Sequence, residues 1–207
     1  MVGVGDEDVV PVLLGLEEAP PLALATEEFA YAGQYRLRRY GKAVLTCRPD
    51  RPTRAVDIVA AVTIDRHRLH PDRLVVRRVD VRRAHRGHGW GPALLASLLP
   101  VAAAGGFRTA QVSVNNPFAY VAASKAGFAW TGRTTGLAEL IMRRPTDHPA
   151  SCADGRFIAG LTVFRRRRPS PAGRRLIARY RRGAAALGEP RTVDEMIPAH
   201  HTSQTHG

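Results

Sequence analysis

Three glycines fall within the six residues Arg86-Gly87-His88-Gly89-Trp90-Gly91, between an apolar β-branched run and a leucine-rich one. That spacing shapes a backbone to hold an anion. Leu74 to Val81 reads as a strand, Pro92 suits a first helical turn, and Leu94, Leu95, Leu98 and Leu99 form the stripe of a helix packed on a sheet. A side chain would hold a phosphate away from the main-chain N–H groups, whereas glycine admits it and the helix amino end adds partial positive charge. A glycine-rich turn can also serve with no ligand. A dinucleotide fingerprint needs a glycine where Pro92 stands, and a P-loop needs Gly-Lys-Ser/Thr, so both fail.

Arg86, Gly89 and Gly91 match an Arg-x-x-Gly-x-Gly signature, and here the chain resembles the GNAT superfamily of N-acetyltransferases. Val79-Asp80-Val81 and Pro92-Ala93-Leu94-Leu95 resemble that family's fourth strand and the helix after it. A second block, Val112-Ser113-Val114-Asn115-Asn116 followed by Ser124-Lys125-Ala126-Gly127-Phe128, resembles its fifth strand and the end of the next helix. The resemblance implies an α/β fold with a mixed, mostly antiparallel sheet splayed between strands 4 and 5 and flanked by helices. It also implies acetyl-CoA as co-substrate, with its pyrophosphate held by Arg86, Gly87, His88, Gly89, Trp90 and Gly91. Main-chain groups near Val79 and Val81 would hold the pantetheine arm and polarise the thioester carbonyl, and Asn116 would lie beside the cofactor. The side chain of Trp90 is expected to pack helix on sheet.

In such a family an amine attacks the thioester directly, and it must first lose a proton. That costs a lysine side chain about 4 to 5 kcal/mol at pH 7, but an α-amino group only about 1 kcal/mol. Relatives often carry a glutamate on the fifth strand, where this chain has Gln111. Asp80 is the nearest carboxylate and the candidate base, with pairing to an arginine as its other reading. Where many relatives place a tyrosine acid this chain has Ala123. Tyr120 is the substitute candidate, and solvent is the alternative. His67, His70, His85 and His88 lie in loops or strand ends with no acid or thiol to complete a shell, so no metal is expected.

Residues 1–146 are expected to form the acyltransferase domain and 147–207 an arginine-rich extension, partly disordered. Val9 to Leu16 reads as an edge strand, since Pro11 lacks a ladder donor. Ala23 to Tyr35 reads as weakly helical with Thr26 as a cap, in the region that shapes the family's acceptor pocket. Tyr35 to Cys47 reads as a strand interrupted by a turn at Tyr40-Gly41-Lys42, and Ala55 to Asp65 as another. Thr109 to Val114 should pair in parallel across the crossover helix, which Pro100 should kink or stop. A helix from Pro117 to Lys125, broken by Gly127, precedes a hairpin of Ala129 to Arg133 and Leu137 to Arg143. Asp147 to Gly155 reads as loop, and Phe157 to Phe164 as one more strand. Ser170-Pro171 should open a helix facing Leu176, Ile177 and Tyr180 inward.

The formal charge of +13 raises nucleic acid as a partner, but only Lys42 and Lys125 are lysines, and such an arginine skew also follows base composition. Residues 145–207 hold eleven arginines against five acids, so nucleic-acid contact through residues 165–182 stays open. No apolar run approaches a membrane span and no secretory leader is apparent, which makes cytoplasm the expected location. Cys47 and Cys152 are expected as free thiols. Three readings remain: an N-acetyltransferase acting on a small-molecule amine or a protein amino group, a protein that binds acyl-CoA without turnover, and a nucleic-acid-binding protein. Acceptor, acyl length and homodimer formation are not legible.

Overall fold

A computed structural model describes residues 9–150 and 154–187. A seven-stranded sheet carries the order β1-β2-β3-β4-β5-β7-β6. Its strands are β1 (Val10–Gly15), β2 (Gly41–Thr46), β3 (Ile58–His67), β4 (His70–Val81), β5 (Thr109–Val114), β6 (Ala129–Thr134) and β7 (Leu140–Pro145). Only β4 and β5 pair in parallel, joined by the crossover helix α1 (Trp90–Ala104). Helices α2 (Pro117–Lys125), α3 (Asp154–Arg166) and α4 (Pro171–Leu187) are the other α-helices among the described residues.

Four registered pairs, Arg73↔Thr109 to Val76↔Val112, are all that join β4 to β5, although both strands run further. Beyond them the sheet opens. Just there β4 carries a bulge, since Ile64 pairs with Val76 but Thr63 with Arg78, leaving Arg77 as the extra residue. The fold is the mixed, mostly antiparallel, helix-flanked and splayed sheet that the sequence resemblance implies.

The helices share one core with the sheet. Leu94, Leu95, Leu98 and Leu99 of α1 cluster with Val62, Ile64, Leu74 and Val76, as the leucine stripe requires. Phe157, Leu161 and Phe164 of α3 and Ile177 and Tyr180 of α4 belong to that same cluster. The basic segment from 154 to 187 is therefore part of the fold's core layer, with its arginines outward. Phe157 to Phe164, expected as a strand, lies in α3. Its apolar positions 157, 161 and 164 recur at helical spacing, and they meet Tyr120 with ring centroids 5.5 Å and 5.7 Å away for Phe157 and Phe164. Helix α4 begins as expected, with Ser170 Oγ accepting from the Gly173 N–H at 3.2 Å.

Four further expectations are corrected. Ala23 to Tyr35 forms no α-helix, only turns and a 3-10 stretch at Ala32–Arg36, because Leu22, Leu24, Phe29, Ala32 and Tyr35 each bury against Val44, Ile58 and Ala61 without a helical stripe. Thr26 donates to the Glu27 carboxylate at 3.4 Å and caps nothing. Gly41 opens β2 instead of making a hairpin turn, since a Cβ there would lie 2.2 Å from the Leu16 carbonyl oxygen. Pro100 does not stop α1, which runs on to Ala104; the proline and Ala96, whose carbonyl it leaves without a helical donor, are both exposed, where solvent can reach that group. Pro11 lies in β1 at the sheet's edge, as expected, and α2 ends before Gly127 at φ +81. Cys47 is free; Cys152 and the last dozen residues lie outside the described residues.

Candidate functional site

Two glycines with left-handed backbone, Gly87 at φ +90 and Gly89 at φ +87, turn the chain from β4 into α1. A Cβ at either would meet nothing within 4 Å, so the turn borders open space. Gly91 is buried, and a Cβ there would rest 3.7 Å from Val81. Among the described residues no group accepts a hydrogen bond from the amides of Gly87 to Gly91. Unpartnered donors, a helix amino end and open space in front of them are the requirements of an anion site. The turn thus meets the geometric requirements for holding an anion.

Arg86 and His88 are exposed. Arg86 Nε donates to the Val81 carbonyl at 3.0 Å and Nη2 to Asp80 Oδ1 at 3.3 Å. Trp90 is half-buried against the main core, as expected, although its indole N–H is buried without an acceptor.

Asp80 stands at the end of β4 and is only 4% exposed. Its second oxygen accepts from the Tyr31 N–H at 2.7 Å. Burial pushes its carboxyl above the ordinary value, against the opposing pull of the Tyr31 N–H and the Arg86 charge. The amino-terminal segment is clamped to the same strand end. Arg82 pairs with Glu28, the Arg83 N–H donates to the Glu28 carbonyl at 3.0 Å, and the Arg78 guanidinium lies 5.3 Å from the Tyr31 ring centre. Residues 28–31 therefore wall the site on the face opposite α1.

In the opening between β4 and β5, alternate residues of Arg77 to Val81 turn main-chain groups away from β3. Val79 and Val81 lie in this stretch and pack their side chains on the α1 side. A cavity of about 570 Å³ adjoins the opening, lined by His67, Arg68, Arg77, Arg78, Gln111 and Glu139 among others. Gln111 Oε1 accepts from Arg143 Nε at 2.8 Å. The β3–β4 turn brings the rings of His67 and His70 to 5.0 Å. Among the described residues no three His, Cys, Asp or Glu side chains converge as metal ligands.

Asn116 and Tyr120 each have a structural partner. Asn116 caps α2, its Oδ1 accepting from the Ala119 N–H at 2.9 Å. Tyr120 is 1% exposed, and its hydroxyl donates to the Phe157 carbonyl at 3.2 Å within the helix layer. The turn, Val79, Val81 and Asp80 are thus brought together, with Tyr120 outside that group. Missed from sequence were Tyr31, Arg78 and the bulge at Arg77. No motif marks them: the pairing of β3 with β4 creates the bulge, and the docking of Tyr31 on Asp80 and Arg78 joins distant parts of the chain.

No family model matches the sequence, and no curated protein matches it. Among solved structures, nourseothricin acetyltransferase is 24% identical over 52% of this chain and 65% of its own, with a TM-score of 0.42. A mutant of the AtaT toxin bound to the C-terminus of the antitoxin AtaR is 20% identical over 68% of this chain and 94% of its own, with a TM-score of 0.47. A GNAT superfamily phosphinothricin acetyltransferase from Sinorhizobium meliloti, in complex with acetyl-CoA, is 19% identical over 51% of this chain and 60% of its own, with a TM-score of 0.42.

Proposed function

We propose that the chain is a GNAT-type N-acetyltransferase that uses acetyl-CoA to acetylate an amine. The reading rests on one observation above all: the amides of Gly87 to Gly91 lack acceptors at the start of α1, with open space at Gly87 and Gly89, where the chain leaves the strand that separates from β5. Acetyl-CoA fits that arrangement, since the turn supplies donors for two phosphates and the gap supplies strand-like partners for an extended amide-bearing arm. The co-substrate brings the activated thioester; the chain binds it, orients it and handles the proton.

Main-chain groups near Val79 and Val81 align the arm and stabilise the oxygen charge that develops as the amine attacks. The amine nitrogen bonds to the acetyl carbon, the carbon–sulfur bond breaks, and the thiolate leaves. Asp80 is assigned the amine's proton, with burial supporting the role by making it a stronger base than an ordinary carboxylate. Solvent is assigned the protonation of the thiolate, because the Tyr120 hydroxyl is engaged in the helix layer.

Binding of acyl-CoA without turnover is the second reading, favoured by Gln111 on the fifth strand and by Ala123 in α2. Thiol release from acetyl-CoA with a panel of amines separates the two: turnover supports the transferase, and tight binding with no release supports the alternative. The exposed arginines of α4 keep nucleic acid as a further partner to test.

A further inference from the structure

The cavity beside the β4–β5 opening has an unusual charge for a place that would receive an amine. Arg68, Arg77 and Arg78 line it against a single carboxylate, Glu139. Glu139 is partly engaged, since its carboxylate accepts from the Thr135 hydroxyl at 3.3 Å. Arg77 is paired with Asp65 at 2.8 Å, whereas among the described residues neither Arg68 nor Arg78 has a carboxylate partner. Behind Gln111 stands Arg143, and Arg73 has a buried Nη1 with no acceptor. The positive field is felt inside the cleft: burial, Arg73, His70, Arg143 and Arg77 all hold the His67 imidazole below its ordinary value.

Resting on the transferase reading, we propose that this cleft receives the acceptor and that the acceptor carries an anionic group, carboxylate or phosphate, beside its amine. An ammonium alone would enter against uncompensated guanidinium groups, while an anion held by Arg68 and Arg78 overcomes that repulsion. The same field serves the chemistry. Like charges favour the neutral form of an amine, so the arginines assist the deprotonation for which the fifth strand offers only Gln111. Attachment through the anion and loss of the proton are then two effects of one electrostatic design.

The test uses the full chain with coenzyme A for thermal shifts and with acetyl-CoA for thiol release, at fixed ionic strength. Four amines of similar reach are compared: γ-aminobutyrate, O-phosphoethanolamine, n-butylamine and 1,4-diaminobutane. The two anionic amines are expected to stabilise the coenzyme A complex and to show at least tenfold higher kcat/KM than the neutral-tailed and dicationic ones. The better of the pair tells carboxylate from phosphate. In the Arg68→Gln/Arg78→Gln variant the preference should collapse through KM, with the coenzyme A shift retained. Equal or better use of n-butylamine or 1,4-diaminobutane overturns the inference, as does a failure of both anionic amines to stabilise the complex. Absence of any coenzyme A shift instead overturns the transferase reading, a distinct outcome.

Discussion

Asp80 and Arg86 join the end of β4 to the glycine turn through a hydrogen bond of 3.3 Å between carboxylate and guanidinium. The pair is unequal in exposure, with the Asp80 side chain at 4% and the Arg86 side chain at 46%. Removing the exposed partner therefore leaves a buried carboxylate with only the Tyr31 N–H to stabilise its charge. In Arg86→Gln the Asp80 carboxyl should rise further above its ordinary value. The acidic limb of kcat/KM against pH should move to higher pH, with weaker acetyl-CoA binding alongside. An unmoved limb would detach Asp80 from the rate.

Asp80 itself gives the sign of the pH dependence. Because burial raises its carboxyl in the folded protein, the native state holds that proton more tightly than the unfolded chain. Its contribution to stability is therefore full below the ordinary carboxylate value and is lost as pH rises through the raised one. Activity should run the other way, rising as Asp80 ionises. Asp80→Asn should lower kcat by about 100-fold, the lower range for loss of a general base, and abolish the acidic limb. A persisting limb would leave Asp80 only the positioning of Arg86 and Tyr31.

Tyr120 separates two roles that its sequence position leaves together. With its hydroxyl bonded inside the helix layer, Tyr120→Phe should cost about 1 kcal/mol of stability and leave kcat unchanged. Loss of kcat together with a shifted basic limb would restore the residue as proton donor. Gly160→Ala is a sharper test of the packing, since its Cβ would fall 2.3 Å from the Tyr120 oxygen. Overpacking of that kind should cost about 2 kcal/mol.

The glycine turn into α1 was legible in the sequence because left-handed main-chain geometry is recorded directly by glycine spacing. The leucine stripe of α1 and the parallel pairing of β4 with β5 were legible for a related reason: local periodicity and a crossover connection decide them. The amino-terminal segment was not. Leu22, Phe29 and Tyr35 bury against a sheet face formed by residues far along the chain, so no local period marks them. The α3 segment misled because Ile158, Thr162 and Val163 carry strand propensity, which docking of Phe157, Leu161 and Phe164 overrides.

Lys42 shows the same dependence on distant partners. It is fully buried, and its Nζ donates to the carbonyls of Ala19 and Leu37 at 3.1 and 2.8 Å. Lys42→Met should destabilise by about 3 kcal/mol, because those carbonyls lose their donor in a dry site. Burial, then the Arg38 charge, hold the Lys42 amine below its ordinary value. The unfolded chain thus binds the proton more tightly, and stability should rise with pH through the interval between the lowered and the ordinary amine values. The Met variant, followed by chemical denaturation, should lack that rise.

The central claim is that main-chain amides from Gly87 to Gly91 bind the diphosphate of coenzyme A. Its most direct measurement is the thermal stability of the full chain titrated with acetyl-CoA, in the natural sequence and in Gly89→Val, whose side chain would project into the open space before the turn. Saturation at 100 times the dissociation constant should stabilise the natural chain by about 2.7 kcal/mol, and the folded variant should lose most of that gain. No gain in the natural chain, or an equal gain in the variant, would contradict the account.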